Sequence, residues 1–141
     1  MAAITIPHNW IKPGESFSAV TGAAFTAIAT GGGGYTCVIQ DGSTGGSVIQ
    51  SAAANDTPLG FTQEDTATAP ASGDQVTVFY TGIVWAVSAG TIAYMGECET
   101  AAAGRVQAAA TGDYCVGICL APGGTAVNDR FPLMIRFYEI N

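Results

Sequence analysis

Apolar and polar positions alternate along residues 75–80, where Val76, Val78 and Tyr80 fall on one side of an extended strand and Gln75 and Thr77 on the other. Residues 35–40 and 47–50 are β-rich and flank a turn of Asp, Gly, Ser and Thr, which predicts a hairpin. Phe17, Ala19 and Val20, then Phe25, Ala27 and Ile28, suggest short strands that end at the glycine run 31–34. Gly82 allows a turn into Ile83, Val84, Trp85 and Val87, and Ser88, Ala89 and Gly90 close that element. Residues 92–97 and 105–108, joined through 101–104, predict a second hairpin. A helical period is sustained only in alanine-rich patches such as 101–110, and Gly104 weakens it there. The chain is therefore expected to be all-β, a β-sandwich or small barrel. Pro7, Pro13 and Gly14 keep residues 1–15 from forming a stable helix, so an extended N-terminal arm should precede a single β domain at 16–141.

The same pattern is used twice. Gln50, Ala52, Ala53, Asp56 and Gly60 lead into Val76, Val78 and Tyr80. At an offset of 57 positions, Gln107, Ala109, Ala110, Asp113 and Gly117 lead into Leu133, Ile135 and Phe137. Self-similarity at a fixed spacing marks a supersecondary unit built twice, here a strand pair with its loop, spanning about 46–80 and 104–137. The loops within the two units, 62–73 and 121–128, are rich in Pro, Gly, Thr and Ala and should be exposed. Asp56 and Asp113 hold equivalent places before the two glycines, where each carboxylate is expected to cap a turn through backbone N–H groups two residues ahead.

Composition narrows the partners. Charged residues make up 11% of the 141 positions, against roughly 25% in ordinary soluble domains. Surfaces depleted of charge are those that assemble, so a homo-oligomer is expected. The formal net charge of -7 repels phosphate backbones and anionic lipids, so neither nucleic acid nor a membrane is an expected partner. The uncharged stretch 16–40 carries glycines and many Thr and Ser, unlike a membrane span. Residues 1–10 lack a basic start and an apolar run, so synthesis in a cytoplasm is expected.

No arrangement of residues calls for catalysis, a cofactor or a metal, and the chain is not expected to be an enzyme. The single histidine, His8, sits beside Pro7 in the arm, where an interface hydrogen bond suits it better than a role as base. Glu64 and Asp65 are adjacent and point apart; Glu97 and Glu99 flank Cys98 and would share a face, where mutual repulsion favours solvent over the alternative of a bound cation. The glycines at 31–34 lack the Gly-Lys-Ser/Thr ending of a phosphate cradle. Cys37, Cys98, Cys115 and Cys119 read as reduced, buried thiols. On a regular strand the sulfurs of Cys115 and Cys119 would stand about 13 Å apart on one face, too far to bridge. Trp85 suits a core strand. Pro7, His8, Asn9, Trp10 and Ile11 are the candidate contact residues, with Trp10 as the anchor of an intersubunit or docking contact.

Asp56-x-x-Leu59-Gly60-Phe61 and Asp113-x-x-Val116-Gly117-Ile118, followed by Gly-Asp-Gln-Val-Thr-Val-Phe-Tyr-Thr-Gly at 73–82 and Val-Ser-Ala-Gly-Thr-Ile at 87–92, resemble the capsid cement, or head decoration, proteins of tailed bacteriophages. The likeness covers residues 46–137 and leaves 5–44 outside. It implies a small acidic β protein, commonly a trimer, made in the host bacterial cytoplasm and added to the exterior of an expanded icosahedral head. There it would bridge neighbouring copies of the major capsid protein and stabilise the virion. The competing class is a phage tail or surface binding module that holds a glycan or receptor in its loops, although those loops are poor in the aromatic residues that stack on sugars.

Overall fold

The structure, a computed structural model, describes residues 11–26, 35–43, 45–63 and 69–141. Eleven strands run in chain order: β1 Lys12–Pro13, β2 Ser16–Thr21, β3 Cys37–Gln40, β4 Ser47–Gln50, β5 Gly60–Thr62, β6 Gln75–Phe79, β7 Gly82–Val87, β8 Glu97–Thr100, β9 Val106–Ala108, β10 Tyr114–Cys119 and β11 Arg130–Glu139. They form two sheets. One closes into a five-stranded barrel in the order β2-β4-β3-β5-β6, and the other is six-stranded in the order β1-β7-β11-β10-β8-β9. The protein is all-β, as its alternating pattern requires. The second hairpin lies later than its sequence suggests. Residues 93–96 make a turn, with Gly96 N–H bonded to Ala93 O, and β8 begins only at Glu97. The alanine-rich stretch forms a short 3-10 turn at Ala102–Gly104.

The two sheets share one topology. Phe61 pairs with Cys37 and Phe79; Ile118 pairs with Glu97 and Met134. Ala19 pairs with Val76, and Ala86 with Phe131. Thus β2, β6, β5, β3 and β4 correspond to β7, β11, β10, β8 and β9. Even the closure is repeated. Thr21 pairs with Val48 in parallel, and Ser88 meets Val106 in a single parallel bridge. The backbone bonds around these residues match too: Thr21 N to Asp74 O and Gly73 N to Thr21 O in the first half, Ser88 N to Asp129 O and Asn128 N to Ser88 O in the second. Register also corrects the spacing. The 57-residue offset holds from the turns at Ala53 and Ala110 to Gly60 and Gly117, but in β4 Gln50, opposite Val38, corresponds to Ala108, opposite Cys98, and the loop before β11 is two residues shorter than that before β6. Val78 therefore corresponds to Leu133, not to Ile135.

Four Ala-x-Gly/Asn-Asp turns set up the hairpin strands, at 53–56, 71–74, 110–113 and 126–129. In each, the Asp carboxylate accepts the N–H of the alanine three residues back, at 3.0, 2.8, 2.7 and 2.8 Å. The expected bonding two residues ahead is not what forms. The third residue has positive φ in every case: Asn55 61°, Gly73 88°, Gly112 95° and Asn128 63°. That conformation selects Gly or Asn. Two of these turns lie within the stretches the repeat aligned, and the other two open β6 and β11.

Burial follows the strand alternation. Ala19, Val38, Val48, Val76 and Val78, with Phe25, fill the first barrel. On its outside, Cys37, Phe61 and the partly buried Phe79 join the main core, which includes Val84, Val106, Val116, Leu133 and Ile135 of the second half. Phe61 and Leu133 are fully buried, each contributing roughly 1.5–3 kcal/mol. Polar bonds sew the same junction: Ser51 Oγ donates to Ala101 O at 2.8 Å, Asp56 N to Thr100 Oγ1 at 2.8 Å, and Tyr114 N to Asn55 Oδ1 at 2.7 Å. Cys115 and Cys119 do not share one environment. A register shift between Cys115 and Gly117 accompanies the assignment of Cys119 to the main core and of Cys115 to a cluster with Ile118 and Ile140.

The repeated glycines allow close approach of the paired strand. A Cβ on Gly117 would lie 2.3 Å from Leu133 Cδ2 and 2.6 Å from Met134 O, whereas one on Gly90 meets nothing within 4 Å. Gly117→Ala should therefore cost about 1–3 kcal/mol in denaturant unfolding, with Gly90→Ala close to wild type. All four cysteines are free and buried, and burial pushes the thiols of Cys37, Cys98 and Cys119 above their ordinary range. A thiol reagent at about pH 8 should leave them unreacted in the native protein and titrate all four on unfolding.

Candidate docking surfaces

The candidate contact residues Pro7, His8, Asn9 and Trp10 lie outside the described residues, as do Glu64, Asp65 and the glycines at 31–34. Ile11 is described and half-buried. It leads into β1, which pairs with β7 through Lys12 with Ile83 and Pro13 with Gly82. Part of the expected arm is thus a strand of the second sheet. The chain then crosses to the first barrel, with Gly14 N–H bonded to Thr81 O at 2.9 Å and Glu15 N–H to Thr81 Oγ1 at 2.7 Å. The segment that precedes Ile11 joins the folded body at this β7 edge. Farther along that edge the Gln63 side chain takes the place of a paired strand, accepting from Trp85 N and donating to Trp85 O, both at 2.8 Å.

Six large apolar side chains are exposed among the described residues, and they form two groups in sequence and topology. Phe17 and Val20 on β2 and Tyr80 after β6 belong to the first barrel. Phe17 and Tyr80 rings lie 6.0 Å apart, and Tyr80 Oη donates to Glu15 at 2.7 Å, which raises the phenol pKa above its usual value. Tyr94, Met95 and Val127 belong to the loops 88–96 and 120–129. Thr125 locks those loops together: its N–H bonds Ile92 O at 3.0 Å, and its hydroxyl accepts from Ile92 N at 3.0 Å and donates to Gly90 O at 2.9 Å. Neither group holds a carboxylate pair or other reactive cluster. Among the described residues no three His, Cys, Asp or Glu side chains stand together in a metal-binding group, and no helix is long and apolar enough to cross a membrane.

Glu97 and Glu99 take up distinct contacts. Tyr138 donates to Glu97 across the sheet, while Gln107 Nε2 donates to Glu99 Oε1 at 2.7 Å. Glu99 is buried, and its other oxygen has no partner among the described residues. The expectation that both face solvent is therefore corrected for Glu99. Trp85 is half-buried in a small cluster with Tyr35 and Val87, apart from the main core, and Arg130 lies over its ring. The sequence reading singled out neither Tyr35 nor Arg130. Tyr35, Trp85 and Arg130 are far apart in the chain, and only the pairing of β11 with β7 brings Arg130 to Trp85.

The bond to Glu97, followed by burial, raises the Tyr138 phenol above its ordinary pKa of 10.0. The neutral phenol is the form that the fold favours. Its stabilisation is therefore complete below about pH 10 and is lost as pH rises from there through the raised value. Tyr138→Phe should cost about 0.5–1.5 kcal/mol at neutral pH, and the gap from wild type should close above about pH 10 in paired unfolding curves.

No protein-family model and no curated protein matches this chain. Among solved structures it is similar to the N base of head fiber gp8.5 in bacteriophage phi29, with a TM-score of 0.62 and 14% sequence identity over 90% of this chain and 98% of that one. At this identity the likeness is one of fold, along nearly the whole of both chains.

Proposed function

We propose that this chain is a non-enzymatic structural protein of a tailed-phage virion, bound to the exterior of the head. The observation that carries the reading is the shared fold with the head fiber N base along almost the full length of both chains. Three features of the chain itself support it. The chain is poor in charged residues, hydrogen bonds join the two halves of the folded body, and large apolar side chains are left exposed, with Phe17 and Tyr80 side by side. Broad contact among many identical copies requires such a body, whereas a reaction requires convergent polar groups.

In this reading the protein acts as a decoration or cement subunit that assembles as a homo-oligomer, with a trimer favoured, and bridges neighbouring copies of the major capsid protein. Residues 7–11 supply the reach. Several such segments on one oligomer raise the effective concentration of each and slow detachment. Placing the head-bound contacts before Ile11 suits the β7 edge, where the chain enters the folded body already anchored by β1.

The purified protein should sediment with expanded heads built from the major capsid protein of the same phage, raise their rupture temperature, and run at three times the chain mass in ultracentrifugation. Heads that neither bind nor gain stability, together with saturable binding on a glycan panel, would move the protein to the receptor-binding class. Deleting residues 2–10 should leave the unfolding midpoint within a few degrees of wild type and weaken head binding at least tenfold. Undiminished binding would remove the arm from the mechanism.

A further inference from the structure

Arg130 begins β11, where its backbone pairs with Val87. Its guanidinium carbon lies 4.7 Å from the centre of the Trp85 ring and 5.3 Å from that of Tyr35. One ring comes from each half. The Trp85 backbone is held by two bonds to the Gln63 side chain, its ring packs in one cluster with Tyr35 and Val87, and Tyr35 is buried there. Ring contact satisfies the face of a guanidinium and leaves its N–H donors at the edge. Arg130 is solvent-exposed, and among the described residues no carboxylate or carbonyl accepts from it.

The surroundings reinforce the local charge. Arg105 donates to Asn128 Oδ1 at 3.1 Å, and Asn128 lies two residues before Arg130. Val106, next to Arg105, bridges to Ser88, next to the Val87 that pairs with Arg130. Two of the four basic residues of a chain with net charge -7 thus meet at this junction. Asp129, the carboxylate next to Arg130 in sequence, already accepts from Ala126 N–H at 2.8 Å.

We propose that Arg130, held by Trp85 and Tyr35, is a binding site for a carboxylate presented by a protein partner. Arg, Trp and Tyr are the residue types that dominate interface energetics. A pre-positioned guanidinium takes a carboxylate through two parallel hydrogen bonds. A phosphate polymer or an anionic membrane would bring an array of charge to a strongly acidic molecule, whereas one acidic side chain needs only this one fork. The site lies outside the N-terminal segment and stands independently of the head-binding reading.

The test follows the Arg130 Nε–Hε and Trp85 indole signals by NMR in the full chain during titration with a capped Gly-Gly-Glu-Gly-Gly peptide, the matching peptide with Gln in place of Glu, and inorganic phosphate. The Glu peptide should shift both signals saturably, the Gln peptide should not, and phosphate should bind at least tenfold more weakly. Arg130→Gln should weaken binding of the Glu peptide at least tenfold, with Arg130→Lys falling between, because it keeps the charge and loses the fork. Unmoved Arg130 and Trp85 signals, undiminished binding by Arg130→Gln, or phosphate binding as tight as the peptide would each overturn the proposal. If Arg130→Gln fails to fold, the wild-type signals and the Lys variant decide. Failure here leaves head sedimentation as a separate question, and heads that fail to bind leave a saturable Arg130 shift intact.

Discussion

The fold depends on one contact surface, the outer wall of the first barrel against the interior of the second sheet. Cys37, Phe61 and Phe79 stand side by side on three neighbouring strands, and the second half packs over them. A unit of about 60 residues buries only about 60% of the surface its unfolded chain exposes and is marginal by itself. The first barrel adds a small valine interior to that limit. Joining the two units lets both draw on a single larger core. The polar groups at the junction are paired through Ser51, Asn55, Thr100 and their partners, so the close approach leaves these backbone groups satisfied.

The same wall explains how two copies of one topology come to differ. By register, Cys37 and Phe61 correspond to Glu97 and Ile118, and Phe79 to Met134. In the first half these positions face the other unit and are apolar. In the second, Ile118 and Met134 belong to a smaller cluster with Cys115 and Ile140, and Glu97 accepts from Tyr138 where the long β11 continues past the end of its β6 counterpart. Closure differs for a related reason. The first barrel seals with two parallel pairs, whereas the β7 edge is shared among β1, the Gln63 side chain and the single Ser88–Val106 bridge. Each device satisfies edge groups that would otherwise invite pairing with another chain.

A stiff two-part body with few charges is suited to holding position on a surface. The exposed apolar groups at Phe17 and Tyr80, at Tyr94, Met95 and Val127, and the Arg130 clasp lie on elements braced by tertiary hydrogen bonds. Braced contact residues lose little conformational entropy when they dock, which favours slow release. All four thiols are buried, burial makes those of Cys37, Cys98 and Cys119 harder to ionise, and Glu97 and Glu99 are engaged by Tyr138 and Gln107.

Local rules made much of the fold legible. Period-two alternation marked β6, β-branched and aromatic residues marked β7, and the turn of Asp, Gly, Ser and Thr marked the β3–β4 hairpin. The repeat of Asp56 and Asp113 before Gly60 and Gly117 marked a duplicated unit, because turn geometry and close strand approach restrict which residues can stand there. Alternation carries no record of a two-residue change in loop length, so the correspondence of Val78 with Leu133 emerged only from strand pairing. Of the contact residues chosen by composition, four lie outside the described structure and Ile11 proves to be the lead-in to a paired strand. The clasp of Tyr35, Trp85 and Arg130 was invisible in the chain, since each residue is ordinary in its own neighbourhood. The amino-acid order by itself determined the strands, the turns and their duplication, because these rest on backbone sterics and nearest neighbours. Which faces were buried between the halves, which edges were sealed, and which cation was left with free donors were decided by tertiary structure, because those outcomes depend on partners tens of residues away.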